Sequence, residues 1–294
     1  MSSYTPINLP YFAPSHVLPA PLPTLDEVLS SSNYLTPPVN FDDTQLCVVR
    51  IGEHFVAKYG QFVQCIEAEN MLFVKQHTTI PVPKVYAVYT FDDKTMIIME
   101  FIEGKTLDSS IMSPQEFDAV GEQLKDQLNQ LRQIPAPDWY GSIGRRPLLD
   151  ISSGRQYGPF DNISDMIRIY FDQEFGGGEC TGKFAQVKIS FRTTLESVST
   201  ALEHAYPVFS HGDLYGRNIL IQPNGIPCII DWELAGFYPS YHERLNSEEL
   251  ASKLNFLDEY PQELQISINA LQAWANAIME EEELGDDFGS ENKI

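Results

Sequence analysis

No run among the 294 residues comes near the roughly 20 consecutive apolar positions a helix needs to cross a bilayer. Basic residues are scarce as well: 19 Lys and Arg stand against 41 Asp and Glu, a formal charge of −22. Such a surface repels phosphate backbones and anionic headgroups, which speaks against nucleic acid and membranes as partners. Part of the acid lies in one tail, "EEEELGDD" from Glu280 to Asp287. The four cysteines, Cys47, Cys65, Cys180 and Cys228, contain no C-x-x-C pair. That argues against a zinc or dithiol site and for free thiols in a reducing compartment. The N-terminal "LPYFAPSHVLPAPLPTL" is broken by prolines and lacks the basic start of a signal peptide. A cytoplasmic protein is the expectation.

What is present divides into three parts. Residues 1–40, rich in Pro and Ser, read as an extended arm with one helical turn at Leu25–Leu29. Residues 41–103 read as a small antiparallel sheet with one helix. The runs Leu46–Ile51 and His54–Tyr59 flank the turn Gly52-Glu53, and "KVYAVYT" and "TMIIMEFI" flank a turn at Phe91–Lys94. Between these pairs, "CIEAENMLFVKQH" has helix formers with apolar residues at helical spacing. From Gly104 onward, residues 104–294 turn mainly helical. Ser113-Pro114-Gln115-Glu116 is a capping box with proline at the first helical position. Phe117, Val120, Leu124, Leu128 and Leu131 follow as one stripe. Further helices are expected near Ser164–Phe175, Phe191–Tyr206 and Ser247–Glu282. The fold class is therefore α+β, with a β-rich lobe followed by a helical one.

Two stretches carry the pattern of phosphate chemistry, and one fails on inspection. Gly177–Lys183 has the G-x-x-x-x-G-K spacing of a phosphate loop, but Phe184 stands where a hydroxyl should hold magnesium, and no strand precedes it. The other is "FSHGDLYGRNILIQ", Phe209–Gln222, followed by "PNGIPCIID". Two apolar β runs around Asn224-Gly225 predict a hairpin. A two-residue loop there pairs positions whose numbers sum to 449, placing Asn218 across from Asp231; Pro223 and Pro227 are positioned to lengthen the loop and shift that register. An amide oxygen and a carboxylate brought together are hard ligands suited to Mg²⁺. Asp213, five residues before Asn218, can orient and deprotonate an attacking hydroxyl beside a metal-bound phosphate. His211 fits better as a packing residue bonded to backbone.

H-x-D-x-x-x-x-N followed by I-I-D-W resembles the catalytic and metal-binding motifs of the aminoglycoside phosphotransferase and choline kinase group, which has a bilobal, protein-kinase-like fold. "EAENMLFVKQHTTIPVPKV", "MIIMEFIEGKTL" and "IIDWELAGFYPSY" are similar to the phosphotransferase proteins abundant in fungi. The resemblance implies ATP and Mg²⁺ as cofactors and a small-molecule hydroxyl as acceptor. It implies Asp213 as catalytic base and Asn218 and Asp231 as metal ligands. Lys58 matches the strand lysine on the α and β phosphates and Glu67 its helix partner, with Glu69 as the alternative. Met99, Glu100 and Ile102 match the hinge that bonds adenine through backbone, and Leu220 and Ile230 the apolar surface beneath the base. Glu233 and acidic residues including Asp172, Glu174 and Glu243 are candidates to receive a cationic acceptor such as an amine or aminoglycoside.

Departures refine the resemblance. The turn at Gly52-Glu53 has no G-x-G-x-x-G. Tyr215 stands where protein kinases carry lysine, Gly216 replaces a common proline, Trp232-Glu233 replaces Phe-Gly, and no A-P-E segment follows. These favour a small-molecule kinase over a protein kinase. The missing glycine loop leaves a nucleotide-binding pseudokinase with a scaffold role as the alternative.

Overall fold

The computed structural model describes residues 4–36, 46–108, 112–150, 155–166 and 205–243. The chain divides into two compact units, residues 1–159 with 207–257 and residues 160–206 with 258–294. Almost all described residues belong to the first. The helices expected near Ser164–Phe175, Phe191–Tyr206 and Ser247–Glu282 lie wholly or mostly outside the described residues, as do Gly177–Lys183, Asp172 and Glu174.

In chain order the first elements are β1 (Tyr11–Phe12), α1 (Leu25–Leu29), β2 (Tyr34–Thr36), β3 (Cys47–Ile51), β4 (Phe55–Gly60), α2 (Cys65–His77), β5 (Val85–Phe91) and β6 (Lys94–Glu100). Their six strands form one sheet in the order β1-β5-β6-β4-β3-β2, antiparallel throughout. The proline-rich arm is built into this sheet, contributing an edge strand at each end. Its helix α1 starts with a reciprocal capping box between Thr24 and Glu27 and buries Val28 completely. Val28 and Ala13 join Phe55, Ala57 and Tyr59 in a cluster on one face of β4. Val56, on the other face, packs with Ala68, Met71 and Val74 of α2. Cover on both faces is why "FVAKYG" is buried at every position and reads as a continuous run rather than an alternating one.

The second set comprises β7 (Lys105–Thr106), α3 (Pro114–Gln133), β8 (Leu148–Asp150), β9 (Arg155–Tyr157), β10 (Pro207–Ser210), β11 (Ile219–Ile221), β12 (Pro227–Ile229) and β13 (Gly236–Pro239). Helix α3 opens on the Ser113–Glu116 capping box and buries Val120, Leu124, Leu128 and Leu131, while Phe117 is half-buried. Strands β10 and β13 pair, and β12-β11-β7 make a small sheet. The turn Gly216–Asn218 leads into β11. Gly216 has a steric reason: a Cβ there would lie 2.5 Å from the Leu107 carbonyl oxygen. The Leu107 N–H in turn donates to the Gly216 and Ile219 carbonyls, sealing β7 onto the hairpin.

The hairpin register differs from the two-residue expectation by one. Ile219 pairs with Ile229 and Ile221 with Pro227. Gly225 N–H bonds back to Gln222 O, and Gln222 N–H bonds to Ile226 O. Pro223 and Asn224 therefore occupy the centre of a turn that Gly225 closes at φ 79°, a three-residue loop with a glycine bulge. Asn218 consequently faces Ile230, whose N–H donates to Asn218 O, and Asp231 lies one residue beyond.

Candidate active site

Lys58 is the centre of the site. It sits on β4, pairs with Val48 and Ile97 on the flanking strands, and its side chain is only 7% exposed. A buried ammonium needs anionic partners. Its Nζ lies 2.7 Å from Glu67 Oε2, 2.7 Å from Asp231 Oδ1 and 3.5 Å from Glu233 Oε2. Burial disfavours the lysine's charge, but those three carboxylates outweigh it and hold the pKa above its ordinary value. Burial pushes Glu67 and Glu233 upward, with Lys58 opposing. Asp231 is also buried, yet the contact with Lys58 prevails and lowers it.

Helix α2 presents its polar residues in three directions. Glu67 meets Lys58, whereas Glu69 pairs with Arg146 Nη2 at 2.6 Å, so the choice between the two glutamates falls to Glu67. Asn70, fully buried, donates through Nδ2 to Trp232 O at 2.8 Å and Ala235 O at 3.1 Å. The chain after Asp231 is thus tied to the helix that carries Glu67. Asp231 itself takes φ 65°, a left-handed conformation uncommon for a residue with a side chain. Such backbone persists where surroundings over-determine it. Here Lys58 grips the side chain, and Asn70 and the Trp232 indole, which donates to Ile229 O at 2.9 Å, fix the following turn.

The Asp213 loop is organised from beneath. His211 is fully buried; its Nδ1 accepts from the Asp213 N–H at 3.3 Å and its Nε2 lies 3.0 Å from Ile230 O. A backbone N–H can only donate, so the ring is neutral with its proton on Nε2. Burial lowers its pKa in agreement. Gly212 adopts φ 82°, and a Cβ there would come 2.7 Å from Leu234 O. Asn218 Nδ2 donates to Asp213 O at 2.9 Å and to Asp213 Oδ2 at 2.7 Å, leaving Oδ1 as the amide's donor atom toward a metal. Arg217 Nη2 contacts both Asp213 oxygens at 3.0 and 3.1 Å, and its guanidinium stacks 4.3 Å from the Tyr215 ring centre.

The remaining expected positions divide. Met99 is buried, Glu100 and Ile102 are half-buried, and the Glu100 and Phe101 N–H groups are committed to Lys84 O and His54 O. Leu220 and Ile230 are half-buried and stand outside the core cluster that contains Ile219 and Ile229. Glu243 does not face outward to a cationic molecule. It is 4% exposed and its Oε2 accepts the N–H groups of His211 and Gly212, making it a support of the Asp213 loop.

Oxygens of Glu67, Asp231 and Glu233 lie within 4.8 Å of one another around one ammonium. Three carboxylates against a single positive charge form a hard-oxygen set that fits a divalent cation such as Mg²⁺. Residues 66–243 match the family described as "Phosphotransferase enzyme family". The chain belongs to that family. Solved phosphotransferases share the fold. A thermostable mutant of aminoglycoside phosphotransferase APH(4)-Ia, in a ternary complex with ADP and hygromycin B, aligns at 15% identity over 88% of this chain and 91% of that one, TM-score 0.55. The streptomycin–ATP complex of APH(2'')-IIa aligns at 17% identity over 81% of this chain and 80% of that one, TM-score 0.52. ADP-bound APH(2'')-Ib aligns at 17% identity with the same coverage, TM-score 0.53. Comparison with curated proteins finds no match.

In this phosphotransferase-family chain, three contributors escape the linear motifs: Asn70, Arg217 and the placement of Glu233 beside Lys58. Arg217 had a sequence signal, since it stands four residues after Asp213. Asn70 and Glu233 depend on the packing of α2 against the segment after Asp231, which no spacing in the sequence encodes.

Proposed function

We propose that this chain is an ATP- and Mg²⁺-dependent kinase that phosphorylates a hydroxyl on a small molecule. The observation that carries the reading is Lys58 bridging Glu67 and Asp231 at 2.7 Å each, beside an Asp213–Asn218 pair joined by its own hydrogen bonds. Lys58, steadied by Glu67, binds the α and β phosphates. Asn218 and Asp231 hold Mg²⁺, with Glu233 in reach of the same region. When bound, the metal neutralises charge on the transferring phosphoryl group.

The protein's own part is positioning. Asp213, set by the His211 ring and the Asn218 amide, receives the acceptor hydroxyl and takes its proton. Arg217 supplies positive charge at the place where Tyr215 replaces a lysine. Backbone groups of Met99–Ile102 would bond the adenine edge, with Leu220 and Ile230 as the apolar surface beneath it. Glu233, partly exposed beside Lys58, favours an acceptor bearing an amine, as an amino sugar or aminoglycoside does. The −22 charge supports a cationic acceptor in the same direction.

The test is thermal unfolding with ATP, with and without Mg²⁺, for wild type and Asp231→Ala. The reading expects a magnesium-dependent rise in Tm that the variant loses; a wild type indifferent to nucleotide rejects it. Transfer of labelled γ-phosphate to a panel of amino alcohols and amino sugars, with Asp213→Asn as control, separates an active kinase from a nucleotide-binding scaffold.

A further inference from the structure

Helix α2 is fixed from one side by Lys58, through Glu67, and from another by the backbone after Asp231, through Asn70. The third attachment comes from the N-terminal arm. Glu69 lies two residues, or about 200° of helical rotation, from Glu67. Its carboxylate is 3% exposed. Ile7 N–H donates to Oε1 at 3.1 Å and Arg146 Nη2 lies 2.6 Å from Oε2. Tyr4 closes the group. Its hydroxyl accepts from Arg146 at 3.4 Å, its ring meets Phe73 of α2 edge-on at 6.1 Å, and it packs over Gly144, where a Cβ would come within 3.1 Å of the ring. Burial and the neighbouring Glu69 carboxylate raise the Tyr4 pKa, keeping the phenol protonated.

We propose that Tyr4, Ile7 and Arg146 form a latch on Glu69 that sets the rotation of α2 and so holds Glu67 against Lys58. Glu69 is a positioning residue for the nucleotide site. The physical reason is the cost of a buried carboxylate. With the arm seated, Glu69 has a guanidinium, an N–H and a phenol around it. Without the arm it keeps the guanidinium alone, and turning α2 to bring Glu69 to water becomes favourable. A helix turns as a unit, so that motion draws Glu67 away from Lys58. The arm, through Tyr4 and Ile7, thereby acts on a lysine it does not touch.

The proposal rests on reading Lys58 and Glu67 as a nucleotide-binding pair, and its test separates the two ideas. Glu69→Gln and Tyr4→Ala are made in the full chain, each alone and combined with Glu67→Gln. Amide hydrogen exchange is followed along α2 and α3, and Mg²⁺-dependent ATP binding is titrated. The latch expects faster exchange in α2 with α3 unchanged, and roughly three- to tenfold weaker ATP binding. It further expects no additional loss when either change is added to Glu67→Gln, because the path through Glu67 is already cut. Unchanged α2 exchange overturns the latch, as does an affinity loss that simply adds to that of Glu67→Gln. A wild type that binds no ATP refutes the nucleotide reading instead, while the exchange measurement still judges the latch.

Discussion

Single residues differ in why they are irreplaceable, and glycine shows the contrast. Gly225 needs its φ of 79°, but nothing lies within 4 Å of the place a Cβ would take, so Gly225→Ala costs about 1–2 kcal/mol of left-handed backbone strain. Gly216 has an ordinary φ and no room. Its added methyl collides with the Leu107 carbonyl at 2.5 Å and must part β7 from the hairpin. Gly216→Ala should therefore cost more, about 3 kcal/mol, in urea unfolding; equal losses for the two variants contradict the steric account. Glu243 gives a pH signature. Burial pushes its carboxyl up to about 7, against the two N–H groups it accepts. A raised pKa means the folded state binds the proton more tightly than the unfolded chain. That stabilisation is complete below about pH 4.5 and is lost as pH climbs through about 7. Glutamine keeps the acceptor and cannot ionise. Glu243→Gln should match wild type near pH 5 and exceed it by roughly 1–3 kcal/mol at pH 8. A gap independent of pH removes ionisation of Glu243 from the explanation.

At the level of elements, α2 and the β11–β12 hairpin are two halves of one support. Asn70 ties α2 to the segment that follows the hairpin, and Asn70→Ala removes its donor from the Ala235 carbonyl and leaves the Trp232 carbonyl with the Ala235 N–H. The expected cost is about 1–3 kcal/mol in urea unfolding. The Mg²⁺-dependent nucleotide shift should fall with it, since Asp231 loses the tether of its turn. A stability loss that leaves the nucleotide response intact assigns Asn70 to the core alone. Most of these elements were legible in the sequence because each announces itself locally. The Ser113–Glu116 box starts α3, and the stripe from Val120 to Leu131 is its buried face. The hairpin shows where local signals stop. Asn-Gly specifies a turn, but Pro223 at its first central position converts a two-residue loop into three, and one residue of register separates Asn218 facing Asp231 from Asn218 facing Ile230. The arm is the other case. Prolines exclude long strands, yet short edge strands need few donors, so Tyr11–Phe12 and Tyr34–Thr36 still pair.

Across the whole molecule, the candidate site repeats in miniature the imbalance of the chain. The protein carries −22 overall, and three carboxylates crowd one lysine in the site. The sequence motifs disclosed Lys58 with Glu67 as its expected partner, and Asp231 apart from them. Their convergence is a property of the packed structure, since 173 positions separate Lys58 from Asp231. Both levels respond to cations, and the responses can be told apart. Screening of general self-repulsion depends on ionic strength and treats all ions alike. Occupation of a site depends on the ion and on Asp231. For a cation site with a millimolar Kd, about 10 mM Mg²⁺ adds roughly 1.4 kcal/mol to the folded state, a rise in Tm of about 2–4 °C for a chain of this size. NaCl at matched ionic strength, about 30 mM, supplies only the screening part. Wild type should therefore show a higher Tm in MgCl₂ than in matched NaCl, without any nucleotide. Asp231→Asn, which removes one carboxylate and leaves the rest of the acidic surface in place, should show the same Tm in both salts. If the two salts act alike on wild type, the cluster around Lys58 does not take a divalent ion on its own, and metal binding there requires the phosphates that come with it.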